Sequence, residues 1–324
     1  MVLKIFAPAG DIYPYADLDD TFFLTYDYDG MIYLQFDISP HHKYYRHISE
    51  ESELEFDNQI FIVKGINERL NVSTINAELN IDGLKKNVFP GNFTMQTVTF
   101  SAISNAALSG SGWIIANPGD VTVSRSIDLE DADTLDILRY CQNKTMFNIL
   151  YKFDSINKYI TIIKPGDVVI NSNVYLTDEL NLSDICIKGS SDDFCTRLYP
   201  FGKDGLDITS VNNGVPYIEN KTYQNKIISS IWRDDRFTIA QSLYDNAVIK
   251  LKELANPQRI YSAQVSDLAK INPDKYGFLN FNLYNIITFI DRRRQDKFNV
   301  QVTKLKIYPA NPRLNAVELT TYLG

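Results

Sequence analysis

Thr196-Arg197-Leu198-Tyr199-Pro200-Phe201-Gly202-Lys203-Asp204-Gly205-Leu206 is the stretch on which the reading of the chain turns. It begins as a strand, with Leu198 and Phe201 as candidate core residues, and runs into a Gly-Lys-Asp-Gly turn. Glycine takes positive φ without a Cβ clash, so Gly202 and Gly205 are expected to carry left-handed backbone around the bend. Asp204-Gly205 is a favoured pair at the tip of a tight hairpin. About a dozen residues on, Asn212-Asn213-Gly214 marks a second turn, followed by Val215-Pro216-Tyr217-Ile218-Glu219-Asn220. Taken as residues alone, the region is two β-turns with no catalytic group.

Composition bounds what surrounds this stretch. The 324 residues are enough for two to four modest domains. Hydrophobic residues make up 44% and charged residues 22%, which suits a folded soluble chain, and the 20 Tyr and 18 Phe against 4 Met favour strands. Lys and Arg number 32 and Asp and Glu 40, a net charge of −8, which argues against a broad basic surface for nucleic acid. Cys141, Cys186 and Cys195 have no metal-type or disulfide-framework spacing and are expected to be reduced, mostly buried thiols of a protein made in a cytosol. Met1 to Pro8 is too short an apolar run for a signal peptide, and no window is long and apolar enough to span a membrane.

Upstream, a loop at Pro8 to Gly10 precedes the strand Thr21–Tyr26, and Asp29-Gly30 leads into Met31–Phe36, where Ile32, Leu34 and Phe36 share a face at period 2. Glu53–Phe56 and Gln59–Lys64 flank a turn at Asp57-Asn58. Residues 1–85 thus predict an all-β barrel or sandwich. After Pro90-Gly91 the pattern changes. Phe100–Leu108 has helical spacing and is stopped by Ser109-Gly110-Ser111-Gly112, and Trp113–Ala116 and Val121–Ile127 read as strands. Asp128 or Asp131 is expected to cap a helix carrying Leu135, Ile137 and Leu138, and a hairpin follows over Met146–Phe153 and Tyr159–Ile163. Residues 86–175 form an α+β insert on this reading. Beyond the central stretch, Ile227–Trp232 predicts a strand. Thr238 is the expected cap of a helix with Leu243, Ala247, Leu251 and Leu254 on one face, and Tyr261, Ala263 and Val265 alternate in a strand. Residues 222–270 then form a small α/β insert in a second β-barrel made by 176–221 and 271–324. In that barrel Phe278–Ile290 and Phe298–Tyr308 are strands, and a bulge near Thr303-Lys304 brings Leu305 and Ile307 into phase with Val300 and Val302. The fold class is β-rich α+β, two small β-barrel domains each with an α/β insert.

Candidate chemistry is thin. His41, His42 and His47, with Glu50, Glu51 and Glu53 nearby, lack a recognised ligand spacing and read as a polar loop. The histidines lie far in sequence from all three cysteines, which opposes a Cys–His nucleophile. Asp19-Asp20, Asp192-Asp193 and Asp234-Asp235 are consecutive pairs, whose members point to opposite faces of a strand and suit turns and caps. Arg292-Arg293-Arg294 reads as a surface turn or a subunit salt-bridge site, and Lys203 lacks the following helix of a phosphate loop. No metal or cofactor is expected.

The central stretch, in order and with its Asn-Gly turn and Tyr-Ile-Glu-Asn follow-on, resembles the N-terminal hub region of phage tail-tip proteins, the tail-associated lysin or prophage endopeptidase tail family. Leu108 to Trp113, with Gly110, Gly112 and Trp113, resembles that family's Leu-x-Gly-Thr-Gly-Trp, with Ser111 for Thr. Phe153 to Ile160 resembles its Phe-Asp-x-x-x-Lys-x-Ile hairpin, and Asn181-Leu182 matches a pair before the motif. Tyr284-Asn285 departs from the family's Gly-Asp. The resemblance implies a structural baseplate hub as in contractile phages. It implies a homotrimer whose two barrels per subunit alternate into a pseudo-sixfold ring, docked to the hexameric distal tail protein. Tape measure protein and other baseplate or receptor-binding proteins are its implied neighbours. The resemblance also implies a channel through which phage DNA passes without specific binding. It implies a place at the virion tail tip, after synthesis in the cytoplasm of a Gram-positive host, and no bond chemistry. Arg197, Leu198, Tyr199, Pro200, Gly202, Lys203, Asp204 and Gly205 are structural residues on this reading. The alternatives are a tail endopeptidase, for which no catalytic domain follows within the 324 residues, and a carbohydrate-binding module using exposed Tyr and Trp, of which only 2 Trp occur.

Overall fold

The computed structural model describes residues 2–6, 10–266, 268–292 and 294–322. Pro8 of the expected N-terminal loop and Arg293 of the arginine run therefore lie outside the described residues. Seven strands open the chain: β1 (Leu3–Phe6), β2 (Ile12–Tyr15), β3 (Phe23–Asp27), β4 (Ile32–Ile38), β5 (Glu53–Phe56), β6 (Gln59–Glu68) and β7 (Ser73–Leu79). Their turns are as the sequence dictates: Gly30 at φ 90 links β3 to β4, and Asp57 and Asn58, both left-handed, link β5 to β6. Leu34, Phe36 and Ile38 are buried at period 2 on β4.

Then come β8 (Val88–Thr99), α1 (Phe100–Leu108), β9 (Ile114–Ile115), β10 (Ser124–Asp133), α2 (Thr134–Gln142), β11 (Leu150–Asp154) and β12 (Tyr159–Ile163). Helix α1 begins at the Thr99 hydroxyl, which accepts from Ala102 N, and ends where Gly110 turns left-handed at φ 77. The expected caps of α2 are corrected. Asp133 accepts from Asp136 N at 2.8 Å, while the Asp136 carboxylate accepts from Asp133 N at 3.1 Å, a reciprocal capping box. Asp128 and Asp131 lie within β10 instead, where Asp131 accepts from Gly91 N. Strand β8, which the sequence reading passed over, pairs with β10 in a mostly exposed two-stranded ribbon. Its polar faces hide the period-2 signal.

The remainder holds α3 (Pro165–Val168), β13 (Asn171–Leu176), β14 (Leu182–Ser190), β15 (Arg197–Phe201), β16 (Ile218–Glu219), β17 (Ser229–Arg233), α4 (Ala240–Leu254), β18 (Gln258–Val265), α5 (Leu268–Ile271), α6 (Pro273–Tyr276), β19 (Ile286–Asp291), β20 (Asp296–Ile307) and β21 (Ala316–Thr321). Ile239, not Thr238, precedes α4, and no side chain caps it. The strand expected from Phe278 starts only at Ile286, because short helices occupy 273–279. The bulge falls where the hydrophobic phase requires it, between Val302 and Lys304.

Two β-rich regions do occur, but the described strands do not form two separate closed barrels. They join into one 13-stranded sheet, because β20 pairs with β19 and β21 and its last residues pair with β3. Strand β18, expected in the small insert, is a member of this sheet between β14 and β21. Three apolar cores result. The largest runs from Leu3 to Ile162 and includes α1 and α2; a second gathers Val174, Tyr261, Phe289, Val300 and Leu319; the third is small and lies around Leu198.

Candidate functional site: the central strand and its turn

Strand β15 is the middle of a separate three-stranded sheet, antiparallel to β16 and parallel to β17. Its side chains alternate. Leu198 and Pro200 point into the small core, against Leu243, Ala247 and Leu251 of α4. Each fully buried Leu there contributes about 1.5–3 kcal/mol of transfer free energy. Phe201 is only half-buried, so Pro200 takes the place expected of it. Cys195 to Ala255 share this core, so the motif packs with α4 and not with the large sheet, where the domain division placed 196–221. Strand β16 pairs only with Arg197 and Leu198, and Pro200 stands past its end, where a missing N–H breaks no ladder bond on that side.

The opposite face carries Arg197, Tyr199 and Phe201. Arg197 Nε donates to the Glu219 carboxylate at 2.8 Å, and its guanidinium lies 4.1 Å over the Tyr217 ring, which also meets Tyr199 at 5.3 Å. Lys221 Nζ reaches the same carboxylate at 2.9 Å, and these two cations, Lys221 first, hold Glu219 below the usual carboxylate range. Arg233 of β17 covers the Phe201 ring at 4.6 Å. Aromatic rings clasped by arginines give this face a rigid, amphipathic surface.

The turn differs from its sequence reading in an instructive way. Gly202 has φ −98, ordinary extended backbone, and the left-handed residues are Asp204 at φ 54 and Gly205 at φ 79. Gly202 is needed for space: a Cβ there would stand 2.4 Å from the Phe237 carbonyl oxygen. Around it Lys203 N donates to Phe237 O at 2.9 Å, Asp234 N to Phe201 O at 2.9 Å, and Gly202 N to Leu206 O at 2.7 Å. Nor is the bend the tip of a tight hairpin, because the chain passes Ile208 and the Asn212–Gly214 turn before β16 returns. Asn212 Nδ2 holds that second turn by donating to the carbonyls of Val215 and Tyr217. Lys203, Asp204 and Gly205 are exposed.

Trp113 lies in the large first core, Gly110 and Gly112 are exposed in the turn before it, and none of the three joins the central motif. Ser111 donates to Leu108 O at 2.7 Å and accepts from Trp113 N at 3.1 Å, and the buried Trp113 meets Phe153 edge-on at 6.1 Å. Gly83 was not singled out in the sequence, yet a Cβ there would lie 2.8 Å from Trp113 Nε1. Also unforeseen is Arg236, which pairs with Asp234 and donates to the Tyr140 hydroxyl at 2.8 Å, tying the small core to α2. Of the acidic pairs considered, Asp234 is thereby a salt-bridge partner. Among the described residues no three His, Cys, Asp or Glu side chains gather as a metal site. His47 stacks on Tyr13 at 4.1 Å, and His42 faces Asp17 at 3.5 Å.

Tyr284, where the resemblance expects glycine, has φ 74, so the backbone demand for glycine persists and a tyrosine meets it. Its buried ring packs edge-on against Tyr28 at 5.1 Å, and burial raises its hydroxyl pKa well above the ordinary value. Asn285 takes the polar role of the expected Asp by donating to Val168 O and accepting from Asn282 N.

This arrangement of sheets and inserts is the fold of phage tail proteins. Prophage tail protein gp18 from Listeria monocytogenes EGD-e aligns with a TM-score of 0.67 over 99% of this chain and 95% of its own, at 15% identity. The 43 kDa tail protein of prophage MuSo2 from Shewanella oneidensis gives 0.64 at 12% identity, over 99% and 97%. A tail protein from Neisseria meningitidis MC58 gives 0.63 at 7% identity, over 99% and 95%. Residues 170–323 match the prophage endopeptidase tail family, so the resemblance read in the central stretch holds. No curated protein sequence matches the chain.

Proposed function

We propose that this chain is a structural subunit of a phage tail tip, a baseplate hub that closes the end of the tail tube. The observation that carries the reading is likeness of fold over 99% of the chain to three tail proteins. Three copies form a ring, with head-to-tail contacts that close on themselves. Each subunit contributes two β-rich regions joined through β20, so the ring presents six similar units to a hexameric distal tail protein. Tape measure protein and receptor-binding proteins are its other neighbours in the virion tail tip. The central motif and the Gly110–Trp113 turn act as scaffold, holding the small sheet and α1 in place. With a net charge of −8, the channel wall offers DNA phosphates little to hold them during ejection. The ring opens and closes without breaking covalent bonds.

Light scattering on the purified chain over a concentration series tests the ring. A trimer, seen as threefold rings by electron microscopy, is expected; a dimer or an open filament overturns it. The family's name also carries an endopeptidase. Release of peptidoglycan fragments by this chain, abolished by a point substitution within it, would replace the structural reading with an enzymatic one.

A further inference from the structure

A cavity of about 490 Å3 lies where the end of β14, the loop before β17, the start of β18 and the β19–β20 turn meet. Its wall contains Lys226, Arg259 and Arg294, and no Asp or Glu lines it. That is a local excess of three cations on a chain whose net charge is −8. Among the described residues neither Lys226 nor Arg259 forms an ion pair with a carboxylate, and Arg294 has Asp291 only at 3.9 Å. The phenol oxygens of Tyr261 and then Tyr223 hold the Arg259 guanidinium firmly in its charged form. The rest of the wall suits an organic group. Tyr223 is 52% exposed and meets Phe194 edge-to-face at 5.9 Å, and Ser191 adds a hydroxyl beside them.

Three cations that line one cavity from separate segments, none with a carboxylate closer than 3.9 Å among the described residues, match a dianion better than a single carboxylate. Two of them are guanidiniums, whose forked donors fit phosphate oxygens. An exposed ring beside such a cluster gives a flat apolar platform for a sugar or polyol. We propose that this cavity binds a phosphate ester, the phosphate held by Lys226, Arg259 and Arg294 and the organic part lying against Tyr223. The site does not depend on the hub reading, because a single subunit contains all of it.

The test is a 31P NMR and calorimetric titration of the full chain with glucose 1-phosphate, inorganic phosphate and glucose. Saturable binding of glucose 1-phosphate is expected, tighter than that of inorganic phosphate and absent for glucose. Arg259→Gln and, separately, Lys226→Gln should each weaken it about tenfold, the worth of one charge-assisted hydrogen bond. Tyr223→Ala should remove the advantage of the ester over inorganic phosphate. Lys226 and Tyr223 are exposed, so these variants keep the test open should Arg259→Gln fail to fold. No saturable binding at tens of millimolar, affinity unchanged in Lys226→Gln, or equal binding of glucose overturns the proposal. The oligomeric state, measured on the same samples, reports on the ring separately.

Discussion

Gly202→Ala isolates the close approach at the centre of the motif. The backbone at Gly202 (φ −98) is open to any residue, so alanine costs nothing in backbone conformation. The whole effect is steric. The new methyl would lie 2.4 Å from Phe237 O and 3.1 Å from a Leu206 methyl, and the carbonyl is backbone that cannot rotate away. Relief requires the 234–237 turn to move off β15, which strains two hydrogen bonds, Lys203 N to Phe237 O and Asp234 N to Phe201 O. Overpacking costs about 1–3 kcal/mol and each of the two weakened bonds about 0.5 kcal/mol, so about 2–4 kcal/mol is expected. The control is Gly205→Ala, in open space but at φ 79, where only the left-handed penalty of about 1–2 kcal/mol applies. Native-state hydrogen exchange on peptides covering β15, β17 and α4 reads the local opening free energy of the small core. Gly202→Ala should speed exchange there about 30- to 1000-fold and leave β3–β7 unchanged. If Gly202→Ala slows or matches Gly205→Ala, the steric account is wrong and the motif's first glycine is there for another reason.

Three further outcomes follow from the geometry. Tyr284→Gly should destabilise by about 2 kcal/mol in urea melts, because easing φ 74 gains about 1 while losing a buried ring costs about 3; a more stable variant would show that strain outweighs packing there. Asp133→Ala should cost about 1 kcal/mol through loss of the α2 cap, and Asp128→Ala, which touches only Asn92 and Thr94 on the ribbon, should cost less in the same thermal melt. Burial pushes the Cys141 thiol up from 9.0 to about 12, so the folded chain holds its proton where the unfolded chain releases it. That contribution is fully present below pH 9 and is lost as pH rises towards 12, by about 1.4 kcal/mol per pH unit in that window. Cys141→Ala should flatten the alkaline limb of the stability curve, and at pH 8 a maleimide should label exposed Cys186 well before Cys141.

What the sequence disclosed was local. The ends of α1, the Asp57-Asn58 hairpin, the α4 stripe of Leu243, Ala247 and Leu251, and the bulge before Lys304 each depend on residues within one or two turns of each other. What it concealed was pairing at a distance. Nothing in Arg197–Phe201 says that its longer partner is the parallel strand Ser229–Arg233, and the alternation of Tyr217 and Glu219 becomes meaningful only once both lie beside Arg197. The glycine rule likewise misassigned Gly202, because a sequence shows that Cβ is absent but not whether torsion or proximity requires it. Asp131 and Asp133 are equally good caps by type; only Asp133 has a carboxylate three residues on with which to close the box.

The junction between the two halves of the sheet explains why the division into parts was harder to see than the parts. Strand β20 is 12 residues long and changes partners along its length, pairing with β19 up to Gln301 and with β3 from Lys304 onward. The bulge between these stretches adds local twist, allowing one strand to serve two regions of different direction. Lys304 sits at the changeover, its ammonium 3.3 Å from Asp27 and 3.6 Å from Glu318, one partner on each side. The Tyr28–Tyr284 contact and a hydrogen bond from Asn311 to Asp20 brace the same junction. Swinging one half against the other must break the β20–β3 ladder, at about 1 kcal/mol per bond, together with these braces. In the ring proposed above, movement is therefore expected between subunits or at the exposed β8–β10 ribbon rather than across β20, because the β20–β3 ladder binds the two halves of each subunit into one body.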